Sequence, residues 1–207
     1  MGSGVARLGR NAVCVATLCL AGVWLGGCSP AGMALTVAST AGVAAVQERG
    51  FVGALDDTAI KARISEAYLQ ASEAILLAVT IRVTEGRVML VGALADPELR
   101  RRAVDLARAQ PGVREVIDEL QAAEGDLSTY AQDAWITAQV NAKLTFDIDV
   151  FAVNYTVDTV GKVVYLAGIA EDQRELDRVV RHAQSLSAVR RVVSHVVLKD
   201  DPRRPGG

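Results

Sequence analysis

Few side chains in this sequence could carry out acid–base or nucleophilic chemistry. The 207 residues include two histidines, His182 and His195, and histidine is the usual general acid or base. Neither lies in a HExxH sequence, and the chain has no phosphate-binding P-loop and no paired-cysteine spacing. His182 falls on the core face of an amphipathic segment, which favours a packing residue. The sequence therefore predicts no enzyme, no cofactor and no metal site.

Covalent chemistry is predicted at one cysteine. Arg7 and Arg10 precede a short apolar run that ends at Leu25-Gly26-Gly27-Cys28, which is the pattern of a secretory signal. A cysteine directly after Leu-Gly-Gly resembles the lipobox of bacterial lipoproteins. That resemblance implies removal of residues 1–27 and acylation of Cys28, and Ser29 resembles the sorting residue of outer-membrane lipoproteins. The alternative is a secretory signal with an incidental cysteine.

The remaining cysteines and the charge exclude other classes. Cys14 and Cys19 lie inside the predicted signal segment, so the mature chain would have no disulfide and no cysteine-based metal site. The formal net charge is -2 at pH 7, and binding to nucleic acid requires a surplus of cations. We therefore expect no nucleic-acid partner.

A candidate surface of a different kind lies in residues 133–151. With a helical period, Ile136, Val140 and Leu144 share one face and should be buried. A neighbouring face carries a second apolar stripe, here called the outer stripe: Trp135, Ala138, Ala142 and Phe146. A globular helix normally buries one stripe only, so the outer stripe indicates a further contact. Ile148 follows it, and Lys143 is the cation beside it.

An internal repeat isolates the outer stripe. A shift of 76 positions (Ile136 minus Ile60) superposes residues 58–123 on 134–199 without a gap. The core stripe is retained in the first copy as Ile60, Ile64 and Tyr68. The outer stripe is not, since its counterparts are Ala59, Ala62, Glu66 and Gln70. The two copies therefore share an interior and differ on one surface.

From the residues alone, the first repeat or its tether, or a partner protein, could cover the outer stripe, and the family resemblance of the repeats adds a lipid surface. Burying a Trp and a Phe contributes several kcal/mol as an upper bound, at about 25 cal/mol per Å². Each basic residue at an anionic surface adds only about 1 kcal/mol. On a lipid surface, Lys143, Lys162, Arg190 and Arg191 would orient the protein rather than hold it.

The elements that position this surface follow the same order in both repeats. Each repeat reads helix, strand, strand, helix, strand, with the first helices starting at Asp56-Asp57 and at Asp133. This order predicts an α/β (α+β) two-layer sandwich for each of residues 56–123 and 132–199. Residues 28–55 are predicted to be the acylated N-terminus and tether, and residues 200–207 a disordered tail.

Three motifs give the repeats a family resemblance. They are the Asp-led helix, a hairpin ending Leu-Val-Gly-Ala (90–93) or Leu-Ala-Gly-Ile (166–169), and the closing Pro-Gly-Val-Arg-Glu-Val (111–116). Together they resemble the BON-domain family over both repeats. The resemblance implies two tandem BON domains in a non-enzymatic lipoprotein, anchored on the periplasmic face of the outer membrane and supporting envelope integrity.

The same resemblance implies binding of anionic phospholipid through the second BON domain. In a relative its first helix lies against the membrane, which would place lipid at Trp135, Ala138, Ala142, Lys143, Phe146 and Ile148. Gln139 and Asn141 replace expected basic residues, and Asp147 and Asp149 follow. The alternative is a non-enzymatic scaffold that docks an envelope or outer-membrane assembly protein through the same stripe.

Overall fold

The computed structural model describes residues 50–123 and 127–204, with the side chains of residues 53–123 and 128–204. Both repeats belong to one unit of the chain, Val43–Gly207. The predicted signal segment, the predicted acylation site Cys28 and the tether up to residue 49 lie outside the described residues.

The first repeat places its helices on one face of a three-stranded sheet of order β1-β2-β3. β1 and β2 form an antiparallel hairpin, and β3 runs parallel to β2 after the crossover through α3. The elements are α1 (Gly50–Ala71), α2 (Glu73–Ala78), β1 (Val79–Thr84), β2 (Arg87–Ala93), α3 (Pro97–Arg108) and β3 (Glu115–Gln121).

The second repeat has the same topology, with its last strand divided in two. β4 and β5 are antiparallel, and β6 and β7 both pair in parallel with β5. The elements are α4 (Leu127–Phe146), a 3-10 helix (Ala152–Asn154), β4 (Tyr155–Val160), β5 (Val163–Ala170), α5 (Gln173–Gln184), β6 (Arg191–Ser194) and β7 (Val197–Leu198). The predicted α+β two-layer fold, repeated in tandem, is confirmed.

The central strands are buried on both faces because the two sheets pack against each other. Val88 and Leu90 of β2 point into the helix-covered core. Met89 and Val91, which alternate with them, face the other repeat and pack with Tyr165 of β5. The layers are therefore helices, sheet, sheet, helices, and the helix layer of each repeat lies on an outer face.

Residues related by the 76-position repeat meet across this junction. Arg82 donates to Asp158 through Nε (2.7 Å) and Nη2 (2.6 Å), and His195 Nε2 lies 2.7 Å from Glu119 Oε1. The members of each pair are 76 residues apart. A residue contacts its own counterpart only near an axis that exchanges the copies, so a local two-fold axis passes through the junction.

The first helices begin earlier than predicted. The sequence analysis starts them at Asp56-Asp57 and Asp133, whereas α1 begins at Gly50 and α4 at Leu127. The side chains of Asp57 and Asp133 bind the hairpin turns instead of capping the first helices. Asp57 accepts from the backbone N–H groups of Glu85 and Gly86, both at 2.9 Å, and Asp133 accepts from Gly161 (2.7 Å) and Lys162 (2.9 Å).

Two residues of the C-terminal segment predicted to be a disordered tail, residues 200–207, contact the first repeat. Arg204 Nη2 lies 2.8 Å from Glu85 Oε1, with both side chains largely buried. Arg203 accepts on its carbonyl oxygen from Arg114 Nη2 at 2.7 Å. These contacts attach residues 203–204 to the hairpin end of the first repeat, and residues 205–207 lie outside the described residues.

Candidate functional site

The outer stripe of α4 is exposed to solvent. Trp135 is 53% exposed and Phe146 85%; Ala138 is also exposed and Ala142 is half-buried. The core stripe of the same helix is fully buried beneath it. Because the repeats pack through their sheets, the first repeat does not cover the outer stripe.

The outer stripe continues into a loop of residues 147–151, here called the tip loop. Ile148 is 99% exposed and Phe151 62%, and Val153 is exposed just beyond. Val150 points inward and joins the core. The surface predicted from the sequence includes Ile148 but neither Phe151 nor Val153. Phe151 could have been found from the alternation of apolar and acidic residues in Phe-Asp-Ile-Asp-Val-Phe (146–151), where only one apolar loop residue, Val150, is needed for the core.

Two side chains of α5 hold the acidic residues of the tip loop. His182 Nε2 lies 2.6 Å from Asp147 Oδ2, and Arg178 lies 3.5 Å from Asp147 and 2.9 Å from Asp149. The hydrogen bond from His182, helped by the backbone N–H of Asp149 and the charge of Arg178, lowers the pKa of Asp147. The Asp147 side chain is only 13% exposed, while its neighbour Ile148 projects into solvent.

A buried carboxylate fixes the far end of the tip loop. Glu175 of α5 is 6% exposed. Its Oε1 accepts from the backbone N–H of Phe151 at 2.7 Å, and its Oε2 accepts from that of Glu171 at 2.6 Å. The loop therefore presents Ile148 and Phe151 from a backbone that α5 holds at both ends.

The first repeat lacks the outer stripe and the residues that hold the tip loop, although it exposes separate leucines such as Leu69 and Leu77. The counterparts of the outer stripe are polar or small, and all four are exposed. Leu99 and Leu106 stand where Glu175 and His182 stand in the second repeat. The short helix α2 occupies the place of the tip loop. The structure thus assigns the exposed apolar surface and its supports to the second repeat.

The predicted cations divide between the two ends of α4. Lys143 lines a shallow groove with Phe146 and His182, next to the tip loop. Lys162 lies at the other end, where its N–H binds Asp133 and its carbonyl oxygen accepts from the backbone N–H of Arg190. Asp133 and Phe146 are 13 helical residues apart (146 minus 133), or about 20 Å at 1.5 Å per residue. Lys162 and Arg190 therefore lie near Asp133 and not near the tip loop.

Within residues 50–123 and 127–204, no group of three His, Cys, Asp or Glu side chains could hold a metal ion. Over the same ranges, no helix has the length and apolar character needed to cross a membrane. Both histidines bind carboxylates.

Several known proteins are similar to this chain in sequence, and three of them are described here. A protein of Anaplasma centrale described as the uncharacterized protein in the gshII 5' region is 37% identical over 152 residues, covering 72% of this chain and 99% of that protein. The osmotically-inducible protein Y of Escherichia coli K12 is 28% identical over 70% of this chain and 74% of that protein. The outer membrane lipoprotein DolP of Haemophilus influenzae is 29% identical over 52% of this chain and 56% of that protein.

The family comparison covers both repeats. The sequence pattern of the BON domain matches residues 56–124 and again residues 132–200. These are the segments that fold into the two sandwiches, and they make up most of the chain. The family resemblance in the sequence is therefore confirmed, and the chain belongs to the BON-domain family, with two BON domains in tandem.

Proposed function

We propose that the protein binds phospholipid bilayers through the outer stripe and tip loop of its second BON domain. The observation that carries this proposal is the exposure of Trp135 and Phe146 on the outer stripe and of Ile148 in the adjoining tip loop. The counterpart positions in the first BON domain are exposed and carry only small or polar side chains, Ala59, Ala62, Glu66 and Gln70. An apolar surface present in one of two otherwise matching domains supports a contact outside the fold.

The balance of forces favours apolar insertion over charge attraction. Phe146, Ile148 and Phe151 together could contribute several kcal/mol at about 25 cal/mol per Å², as an upper bound. Among the predicted cations only Lys143 lies beside the tip, and one cation near an anionic surface contributes about 1 kcal/mol. We therefore expect anionic lipid to strengthen the binding without being required for it.

We further propose a non-enzymatic envelope protein that Cys28 anchors to the outer membrane from the periplasmic side. Similarity to an outer membrane lipoprotein of Haemophilus influenzae supports this location, as does the Leu-Gly-Gly-Cys sequence. Residues 29–49 could span at most about 75 Å, which lets the tip reach the membrane that holds the acyl chains. A mature N-terminus at Cys28 with the mass of attached acyl chains would establish the anchor, and an unmodified cysteine would refute it.

The lipid contact is tested with residues 43–207, which form a single unit with their own cores. Flotation with vesicles of phosphatidylcholine and phosphatidylglycerol should carry the protein upward. Trp135 is the only tryptophan of this segment, because the other is Trp24, so its fluorescence should shift to the blue on binding. The double variant Phe146→Ser/Ile148→Ser should bind at least about tenfold more weakly, since it removes more than 1.4 kcal/mol of apolar burial.

A matched control changes apolar residues that are exposed on the first BON domain. Leu69→Ser/Leu77→Ser removes two leucines that are 64% and 77% exposed, and flotation should be unchanged. A folded wild-type protein that stays at the bottom of the gradient would refute the lipid contact. That outcome would favour the scaffold, in which an envelope protein covers the same surface.

A further inference from the structure

The first BON domain contains a pocket that the proposed function does not use. It lies between the first half of α1, the β1–β2 hairpin turn and the loop after α3, and its volume is about 400 Å³. Small-molecule sites have volumes of roughly 300–1,000 Å³. Gly86 and Gly112 line this pocket, and a Cβ added to Gly86 would lie 2.8 Å from the carbonyl oxygen of Gly112. The two loops meet closely because Gly86 has no side chain, and they form a concave surface, here called the turn pocket.

Two arginines line the turn pocket with neutral carbonyl oxygens as their partners. Arg63 Nη2 donates to the carbonyl oxygen of Pro111 at 2.9 Å. Arg114 donates through Nη1 to the carbonyl oxygen of Glu85 at 3.3 Å and through Nη2 to that of Arg203 at 2.7 Å. Among the residues that the structure describes, no carboxylate forms an ion pair with either guanidinium group. Each guanidinium group keeps further terminal N–H groups that can donate to an oxyanion.

The carboxylates of the turn pocket differ in how far they are already bound. Asp57 accepts from two backbone N–H groups of the hairpin turn, and Glu85 pairs with Arg204 at 2.8 Å. Asp56 is exposed, and no donor among the described residues binds its carboxylate. Cations and carboxylates at the pocket are equal in number: Arg63, Arg114 and Arg204 against Asp56, Asp57 and Glu85. This balance suits a ligand with separate anionic and cationic groups and no net charge.

The second BON domain has different side chains at the same positions. With the shift of 76 positions, Trp135 stands at the position of Ala59, and Gln139 at that of Arg63. A large side chain thus replaces a small one, and a neutral amide replaces a cation. The charged pocket therefore belongs to the first BON domain, and neither the outer stripe nor the tip loop contributes to it.

We propose that the turn pocket binds a phosphoethanolamine diester, in which a phosphate and an ammonium group are joined through a short carbon chain. Arg63 and Arg114 donate to the free phosphate oxygens, and Asp56 accepts from the ammonium group. The negative charge of the phosphodiester and the positive charge of the ammonium cancel, as the balanced pocket requires. This inference goes beyond the proposed lipid contact and does not rest on it. The same chemical group occurs in the headgroup of phosphatidylethanolamine and in soluble glycerophosphoethanolamine, so the experiment distinguishes these two sources.

Solution NMR of residues 43–207, titrated with soluble glycerophosphoethanolamine, tests the site. The backbone amide signals of Gly86 and Gly112 should shift as the pocket fills. Glycerophosphoglycerol has the same phosphodiester but no ammonium group, and it should bind at least about fivefold more weakly. Asp56→Asn should remove this preference for the ethanolamine probe, a result that loss of folding could not produce.

Two substitutions taken from the second BON domain test the pocket itself. Arg63→Gln removes a phosphate donor and should weaken binding at least about tenfold. Ala59→Trp fills the pocket and should abolish binding. Ala62→Trp is the matched control, because Ala62 is also exposed on α1 but does not line the pocket, and it should bind like the wild type. The inference is overturned if the wild-type signals of Gly86 and Gly112 do not move, if both probes bind equally, or if Ala59→Trp binds like the wild type.

Vesicles distinguish a membrane headgroup from a free ligand. If the pocket binds the lipid headgroup, adding phosphatidylethanolamine to phosphatidylcholine vesicles should strengthen flotation of the wild type but not of Arg63→Gln. Equal flotation on both kinds of vesicle, with the soluble probe still bound, assigns the pocket to a free ligand. Phe146→Ser/Ile148→Ser changes residues outside the pocket and should bind the soluble probe like the wild type. The turn pocket and the lipid contact can therefore fail independently.

Discussion

The residue that organises each domain is an aspartate inside its first helix. Asp57 is 4% exposed and Asp133 5%, and each binds two backbone N–H groups of the hairpin turn below it. The turns need these acceptors because their backbone leaves the sheet ladder there, with positive φ at Glu85, Gly86, Gly161 and Lys162. A buried N–H without an acceptor is costly, so the aspartate fixes the helix to the sheet.

Replacing this aspartate should therefore destabilise the domain. Asp57→Ala leaves two turn N–H groups without their acceptor, and we expect the free energy of unfolding to fall by about 2–4 kcal/mol. Urea denaturation followed by circular dichroism measures the change. Asp56→Ala is the matched control, because its side chain is exposed and should change the same quantity by less than about 0.5 kcal/mol. Equal effects of the two substitutions would contradict this role of Asp57.

The aspartates also show what sequence could and could not predict. The strands and the core face of α4 could be predicted from the spacing of apolar residues. A half-buried strand alternates apolar and polar residues, and a half-buried helix carries an apolar stripe. The starts of the first helices could not be predicted in this way, since Asp-Asp before an apolar stripe is equally the pattern of an N-cap. Only the fold brings the hairpin turn next to Asp57. Phe151 was missed for a similar reason, because α5 alone decides that Val150 turns inward and Phe151 outward.

At the scale of elements, the two strands of each hairpin approach each other closely at one glycine. This glycine lies in the second strand of the hairpin, which is the central strand of the sheet, and it meets the residue just before the first strand. A Cβ at Gly168 of β5 would lie 2.0 Å from the carbonyl oxygen of Asn154, and φ there is +136°. The equivalent Gly92 of β2 would place a Cβ 2.0 Å from the carbonyl oxygen of Ala78. Both contacts are to backbone, which cannot move aside without breaking the strand pair.

Gly168→Ala should therefore shift β4 away from β5 and weaken the second domain. We expect a loss of about 3 kcal/mol or more in the free energy of unfolding, from overpacking and an unfavourable backbone conformation together. Thermal unfolding of the variant provides the measurement. Gly161→Ala is the graded comparison, since its Cβ would meet only the end of the Gln121 side chain at 3.1 Å. An unchanged melting temperature for Gly168→Ala would show that the strands can separate freely.

At the scale of the whole molecule, the two-fold relation between the domains determines what each face can do. The sheets occupy the junction, so both helix layers face outward on opposite sides. If the outer stripe lies on a membrane, the helix layer of the first BON domain faces away from it. The contacts of Arg203 and Arg204 with the first domain further join the two domains. The protein can thus present one lipid-facing side and one side directed into the surrounding compartment.

The ion pair on the two-fold axis should favour pairing of the first domain with the second domain over pairing of two identical domains. Arg82 and Asp158 occupy equivalent positions and form a bidentate ion pair, so two first domains would oppose Arg82 with Arg82, and two second domains Asp158 with Asp158. Like charges in contact are unfavourable. Complementary charges at equivalent positions therefore select pairing between the first and second domains over pairing of either with itself.

Reversal of this pair tests the role of the axis. Arg82→Asp places two carboxylates together and should lower the free energy of unfolding by about 2–3 kcal/mol. Adding Asp158→Arg restores opposite charges with donor and acceptor exchanged, and should recover at least about 1 kcal/mol. Urea denaturation of the wild type, both single variants and the double variant gives the coupling energy between the positions. Additive effects would mean that the pair does not stabilise the junction, which would then rest on its apolar contacts and on the other polar pairs across it, such as His195 with Glu119.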